Sequence, residues 1–101
     1  MLLLEPQHWE RVRRILQALP PAWEVWAFGS RVTGRAHKFS DLDLAIRGPE
    51  PVPLTLLGEL REAFASSFLP FSVDLVDWHD LPEALKAAVE REGVRILPAE
   101  G

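Results

Sequence analysis

Apolar residues recur along this chain with two periods, one typical of helices and one typical of strands. Two stretches carry an apolar residue every three or four positions, which predicts an α-helix with one buried face. A third helix is predicted between residues 80–83, which resemble a capping box, and Gly93. The apolar positions are Trp9, Val12, Ile15, Leu16 and Leu19 in the first helix, and Leu56, Leu57, Leu60, Ala63, Phe64 and Phe68 in the second.

Short apolar runs that are rich in strand-forming residues separate these helices. They cover residues 24–28, 41–44, 71–77 and 94–97, and each has the length of a β-strand. A further short helix or turn is predicted in the basic segment between the first two strands, residues 31–39. The predicted order is therefore helix and strand in alternation, four times over.

The composition is that of an ordinary globular protein. Of the 101 residues, 48% are hydrophobic and 26% are charged, and the length suits a single domain spanning residues 1–101. The net charge of −4 argues against a broad nucleic-acid-binding surface. The lack of cysteine excludes disulfides and thiol catalysis. No apolar run is long enough to span a membrane or to form a signal peptide, so we expect a soluble cytoplasmic protein.

Two short motifs carry the candidate chemistry. Gly29-Ser30 ends the first strand and could offer backbone N–H groups and a hydroxyl to a phosphate. After ten intervening residues comes Asp41-Leu42-Asp43-Leu44, in which strand geometry places both carboxylates on one side and both leucines on the other. Such a carboxylate pair could hold Mg²⁺ together with substrate phosphates, which predicts metal-assisted phosphoryl or nucleotidyl transfer. The alternative is an ordinary turn followed by solvated carboxylates on an edge strand.

Other charged residues lie near these motifs in the sequence. Arg31 directly follows the glycine-serine turn and is the best candidate to stabilise phosphate charge, whereas Arg35 and Lys38 are expected to face solvent. Asp74 interrupts an apolar strand, where an ionised carboxylate is costly unless it is paired or binds metal. Asp77 has the opposite parity along that strand and is expected to face elsewhere. The three histidines show no metal-ligand spacing.

The segments Phe28-Gly29-Ser30, Gly34 and Ser40-Asp41-Leu42-Asp43-Leu44 resemble the signature of the DNA polymerase β-like nucleotidyltransferase superfamily. More narrowly, residues 29–36 together with residues 40–44 are similar to the minimal nucleotidyltransferases, the MNT proteins often paired with HEPN partners. The resemblance covers nearly the whole chain. It implies an α+β fold, a single nucleotidyltransferase-type domain whose mixed sheet of about four strands is packed with helices.

The resemblance also implies roles for individual residues. Three carboxylates would be catalytic and would bind Mg²⁺: Asp41, Asp43 and Asp74. The nucleotide would be bound by residues of the turn and of the segment before the second strand: Gly29, Ser30, Arg31 and Ser40. ATP would be the substrate, and Asp74 would help to ligate the metal that activates the incoming hydroxyl.

The implied reaction is the transfer of a nucleoside monophosphate, AMP from ATP, to a hydroxyl on a partner protein, with this chain as the antitoxin of a HEPN/MNT toxin–antitoxin pair. Because nothing in the chain can serve as an acceptor-binding domain, the acceptor surface must come from a HEPN-type partner or from a homodimer. Trp23 and Trp78, at the ends of predicted elements, are candidate interface residues. The alternatives are a non-catalytic module that neutralises its partner by contact, and nucleotide transfer to RNA or a small molecule.

Overall fold

A computed structural model of the protein describes residues 4–29 and 41–98. These two ranges contain three α-helices and four β-strands, which alternate with one exception: β1 and β2 are separated by residues outside the described ranges. In chain order the elements are α1 (Pro6–Leu16), β1 (Glu24–Phe28), β2 (Leu42–Arg47), α2 (Leu54–Ala65), β3 (Val73–Asp77), a 3₁₀ turn (Trp78–Asp80), α3 (Glu83–Glu92) and β4 (Val94–Leu97). The short helix or turn predicted for residues 31–39 lies outside the described residues.

The four strands form one mixed sheet in the order β3-β2-β1-β4. Strand β1 pairs antiparallel with β2 and with β4, whereas β2 and β3 are parallel. A parallel neighbour requires a crossover, and α2 supplies it between β2 and β3. The predicted α+β fold with a mixed four-stranded sheet is confirmed. The second strand begins at Leu42, one residue later than predicted.

One face of the sheet is covered by α1 and α2. Most of the strand residues that point to this face are buried, because apolar side chains are driven out of water on both sides of the interface. The sheet contributes Val25, Ala27, Leu42, Leu44, Ile46, Leu75 and Ile96, and the helices contribute Val12, Leu16, Leu57, Leu60 and Phe64. This cluster is the main hydrophobic core, and it fixes which face the intervening strand residues must occupy.

The other face of the sheet carries a smaller apolar cluster. Its buried members are Ala45, Trp78, Leu81 and Val89, and Trp26, Phe28 and Val76 pack against them half-buried. Helix α3 and the 3₁₀ turn supply this layer. Asp43 lies on the same face, since it is the cross-strand partner of Phe28. The candidate site is therefore on the less completely covered side of the sheet.

The second predicted helix is shorter than its apolar pattern indicated. Helix α2 ends at Ala65, where the Ser67 hydroxyl donates a hydrogen bond of 2.6 Å to the Phe64 carbonyl and draws the chain out of the helix. Phe68 lies beyond this end and is 91% exposed. The prediction that Phe68 belongs to the buried face of the helix is wrong.

The predicted capping box at residues 80–83 is also wrong. Helix α3 begins at Glu83 with Pro82 in the N-cap position and no side-chain cap. Asp80 instead belongs to the 3₁₀ turn, which closes through a hydrogen bond from the Leu81 N–H to the Trp78 carbonyl. The helix does end at Gly93, as predicted.

The two tryptophans predicted as interface residues are both buried, each only 8% exposed, so that prediction is wrong. The ring of Trp23 packs so closely on Gly48 that a Cβ added there would lie 2.6 Å from it. The Arg47 guanidinium carbon lies 4.4 Å from the centroid of the Trp78 ring. Within the described ranges, no helix is long and apolar enough to cross a membrane.

Candidate active site

Gly29 occupies the turn directly after β1 in a conformation that favours glycine. Its φ angle is +79°, in the left-handed region where side chains with a Cβ are strained. A Cβ added at Gly29 would also collide with the Asp43 carboxylate. The side chain that a Cβ at Gly29 would meet is thus that of Asp43, one of the predicted site residues, while binding of a phosphate by the turn stays a prediction.

The sheet topology brings the two motifs and Asp74 to one edge. Asp43 has Phe28, the residue before Gly29, as its partner on β1 and Asp74 as its partner on β3. Because β1 runs antiparallel to β2 and β3 runs parallel to it, the end of β1 and the beginnings of β2 and β3 coincide in space. Asp41, one residue before β2, lies at the same edge.

Burial follows the predicted alternation. Leu42 and Leu44 are fully buried, Asp43 is half-buried, and Asp41 and Asp74 are exposed. Burial raises the pKa of the Asp43 carboxyl, and the negative charges of Asp74 and Asp41 raise that pKa further. Asp41 and Asp74 are thus both close enough for their charges to act on the Asp43 carboxyl.

The donor chemistry of this cluster fits Mg²⁺ with a substrate attached. Carboxylate oxygens are hard ligands, and Mg²⁺ is commonly held by one or two carboxylates together with phosphate oxygens and water. A bound cation would also relieve the repulsion that raises the pKa of Asp43. Within residues 4–29 and 41–98, no three carboxylate or histidine side chains are already gathered around a single point as a closed metal site. A metal held here would therefore need ligands from a substrate as well as from the protein, and the prediction that Asp41, Asp43 and Asp74 bind it stays a prediction.

Three of the predicted nucleotide-binding residues, Ser30, Arg31 and Ser40, lie outside the described residues.

Asp77, predicted to face elsewhere, pairs with Ile46 on the core side of the sheet. It accepts hydrogen bonds from the backbone N–H groups of Val52, at 2.7 Å, and His79, at 3.0 Å, and its Oδ1 lies 2.9 Å from the His79 Nδ1. Burial alone would raise the pKa of Asp77, but the bonds from His79 and Val52 together lower it.

A groove that no sequence pattern indicated adjoins Asp41. It has a volume of about 520 Å³ and is lined by the last part of α2 and by the connection into β3. Arg61, on α2, projects into it. Nothing in the one-dimensional pattern distinguished Arg61 from the other charged residues on the exposed side of that helix, so no local signal could have found it.

Two solved structures have the same fold. A crystal structure of a toxin–antitoxin with AMP-PNP matches with a TM-score of 0.70 and 27% identity, covering 86% of this chain and 70% of that one. A mutant of the toxin–antitoxin MntA-HpeT matches with a TM-score of 0.69 and 26% identity, covering 90% of this chain and 72% of that one.

Sequence comparison gives a closer relationship. Residues 10–100 match the family described as polymerase beta, nucleotidyltransferase. Over 89 residues the chain is 47% identical to a Haemophilus influenzae protein named probable protein adenylyltransferase MntA, a match that covers 88% of this chain and 78% of that protein. The protein is therefore a nucleotidyltransferase that belongs to the polymerase β family and, within it, to the minimal nucleotidyltransferases that include MntA.

Proposed function

We propose that this nucleotidyltransferase moves AMP from ATP to a hydroxyl on a HEPN-type partner protein and acts as the antitoxin of that toxin. The observation that carries the proposal is the meeting of the Gly29 turn, Asp43 and Asp74 at one edge of the sheet. The relative at 47% identity is named as a probable protein adenylyltransferase, and the structure at 27% identity is of a toxin–antitoxin with AMP-PNP. Because ATP is the proposed substrate, we place the reaction in the cytoplasm.

The proposed roles differ between the nucleotide-binding residues and the carboxylates. The backbone at Gly29, which follows β1, would bind the phosphates of ATP together with Ser30, Arg31 and Ser40. Asp41 and Asp43 would hold Mg²⁺, and Asp74 on β3 would complete the carboxylate set. When bound, Mg²⁺ supplies positive charge that stabilises the transferring phosphoryl group and the leaving pyrophosphate.

The transfer is a substitution at the α-phosphorus of ATP. The acceptor oxygen forms a bond to that phosphorus while the bond from it to the oxygen of the pyrophosphate breaks, and the acceptor proton passes to solvent. The carboxylates position the hydroxyl and the nucleotide in line, which is where most of the rate gain of such enzymes arises. The product is an AMP ester of the partner, and pyrophosphate leaves.

The competing function is neutralisation by contact alone. It requires the fold and the partner surface but not the carboxylates. The gathering of Asp41, Asp43 and Asp74 at one end of the sheet favours the enzyme, because a structural role would not require two further negative charges near the half-buried Asp43 carboxylate. Transfer to RNA is disfavoured by the net charge of −4.

The deciding experiment is Asp43→Asn, tested with a HEPN-type partner protein that co-purifies with the wild-type chain. We expect the variant to fold and bind the partner, but to transfer AMP at least about a hundredfold more slowly, because a metal ligand is lost. Intact-mass spectrometry of the partner, with ATP and Mg²⁺ and with chelator, measures the transfer. Asp80→Asn, a carboxylate in the exposed 3₁₀ turn, is the matched control. Full toxin neutralisation by Asp43→Asn without any mass shift would establish the contact mechanism instead.

A further inference from the structure

The groove beside Asp41 lies toward β3, whereas the Gly29 turn lies toward β1. Strand β2, which carries Asp43, has β1 on one side and β3 on the other. Gly29 follows β1, whereas the groove is lined by α2 and by residues 69–73 at the entrance to β3. If the phosphates of ATP lie at Gly29, the groove is on the side from which a second substrate reaches them. Its volume of about 520 Å³ is within the usual range of about 300 to 1,000 Å³ for binding sites.

The lining of the groove is suited to a protein segment. Phe64 and Phe71 are largely buried and provide an apolar floor, while Ser67 and Ser72 provide hydroxyl groups at its margin. Among the described lining residues the charged ones are Asp41, at the catalytic end, and Arg61. A lone arginine in a chain of net charge −4 does not form the extended basic surface that nucleic acid requires.

Arg61 is anchored in a way that leaves most of its guanidinium available. One terminal N–H donates a hydrogen bond of 2.9 Å to the carbonyl of Leu75, on edge strand β3. A guanidinium has five N–H donors, and no other partner of Arg61 is found within the described ranges. A held guanidinium loses little freedom on binding and is the natural partner of a carboxylate, which it can bind through two parallel hydrogen bonds.

We propose that this groove binds the acceptor segment of the partner protein, a stretch that carries the modified hydroxyl and, close to it, an acidic side chain that pairs with Arg61. The inference rests on the proposed function, which supplies the reaction. It adds the place where the acceptor segment binds and a preference of that place for a negatively charged side chain. Arg61 acts as a positioning residue: it holds the segment so that the hydroxyl lies beside Asp41, the candidate carboxylate that lines the groove.

The test is charge reversal at Arg61 in the complex with the partner. For Arg61→Glu we expect the KM for the partner and the Kd of the complex to rise at least about tenfold, because a carboxylate would face a carboxylate. The affinity for ATP with Mg²⁺, measured by calorimetry, should change less than about twofold. Arg91→Glu, on α3, makes the same charge change away from the groove and is the control. Arg61→Gln, which keeps a donor for the Leu75 carbonyl, separates loss of charge from loss of that bond.

A charge-swapped partner provides the specific readout. Mass spectrometry maps the modified hydroxyl, and an acidic residue near it is changed to lysine. Restored affinity of that partner for Arg61→Glu supports binding of the acceptor segment in the groove. If Arg61 had only a structural role, the change in the partner would not restore the affinity. A fall in ATP affinity with an unchanged partner KM, or no effect on either, would overturn the inference. If wild type transfers nothing, the proposed function fails, while the Kd values of the complexes still test the groove.

Discussion

At the scale of single residues, the contact between Gly29 and Asp43 links backbone conformation to site chemistry. Gly29→Ala places a Cβ at a φ of +79° and against the Asp43 carboxylate. We expect it to lower the free energy of unfolding by about 1 to 3 kcal/mol, since left-handed strain and displacement of the carboxylate both oppose folding. Urea denaturation measures the stability, and calorimetry should show weaker binding of ATP with Mg²⁺.

The chain offers a matched glycine for comparison. Gly58 lies in α2, where a Cβ would meet nothing within 4 Å. Gly58→Ala should therefore stabilise the protein by about 0.5 to 1 kcal/mol, because alanine has the higher helix propensity. Equal effects of the two substitutions on stability would show that the turn at Gly29 does not require glycine.

At the scale of elements, Asp77 joins three pieces of the fold that are separate in sequence. It ends β3, accepts the N–H of His79 in the 3₁₀ turn, and accepts the N–H of Val52 just before α2. The side chain is only 5% exposed, so the bonds to its ionised oxygens are shielded from water. We expect Asp77→Asn to lower the free energy of unfolding at neutral pH by about 1 to 3 kcal/mol, since an amide accepts these bonds more weakly.

The effect of Asp77 on stability depends on pH in a defined direction. The pKa of Asp77 is lower in the folded protein than its usual value, so ionisation favours the folded state. Its contribution is present above the unfolded pKa, about 3.9, and is lost as the pH falls through the lower folded pKa. Urea denaturation across this acidic range should show the stabilities of wild type and Asp77→Asn converging. Asp80→Asn, at a nearby exposed carboxylate, is the matched control.

At the scale of the whole molecule, burial separates residues that support the fold from those free to contact a partner. Trp78 is 8% exposed and belongs to the cluster that packs α3 on the sheet, whereas Phe68 is 91% exposed. Trp78→Ala should lower the free energy of unfolding by about 3 to 5 kcal/mol. Phe68→Ser should change it by less than about 0.5 kcal/mol. Thermal unfolding of both variants tests this, and a large loss in Phe68→Ser would contradict the exposure of that residue.

Much of the fold and part of the site could be predicted from local sequence, because the relevant signals have short range. Strand alternation alone puts Leu42 and Leu44 on the core side and Asp43 on the other, and the structure has them so. The glycine after β1 signalled an unusual backbone conformation, and Gly29 has one. The alternation along β3 that places Asp74 and Asp77 on opposite faces of the sheet is also a local signal.

The types of the described elements and the side of each strand that faces the core could thus be predicted locally, since they depend on neighbours a few residues away. Which distant segments meet depends on the tertiary packing. The pairing of Asp43 with Asp74 depends on strand order and register, and the groove at Arg61 exists only because α2 crosses from β2 to β3. Trp23 and Trp78 looked free at element ends, yet Gly48 and Arg47, remote from them in sequence, cover their rings. The burial of a residue depends on contacts with segments that are distant in sequence. A local sequence pattern does not indicate where those segments lie.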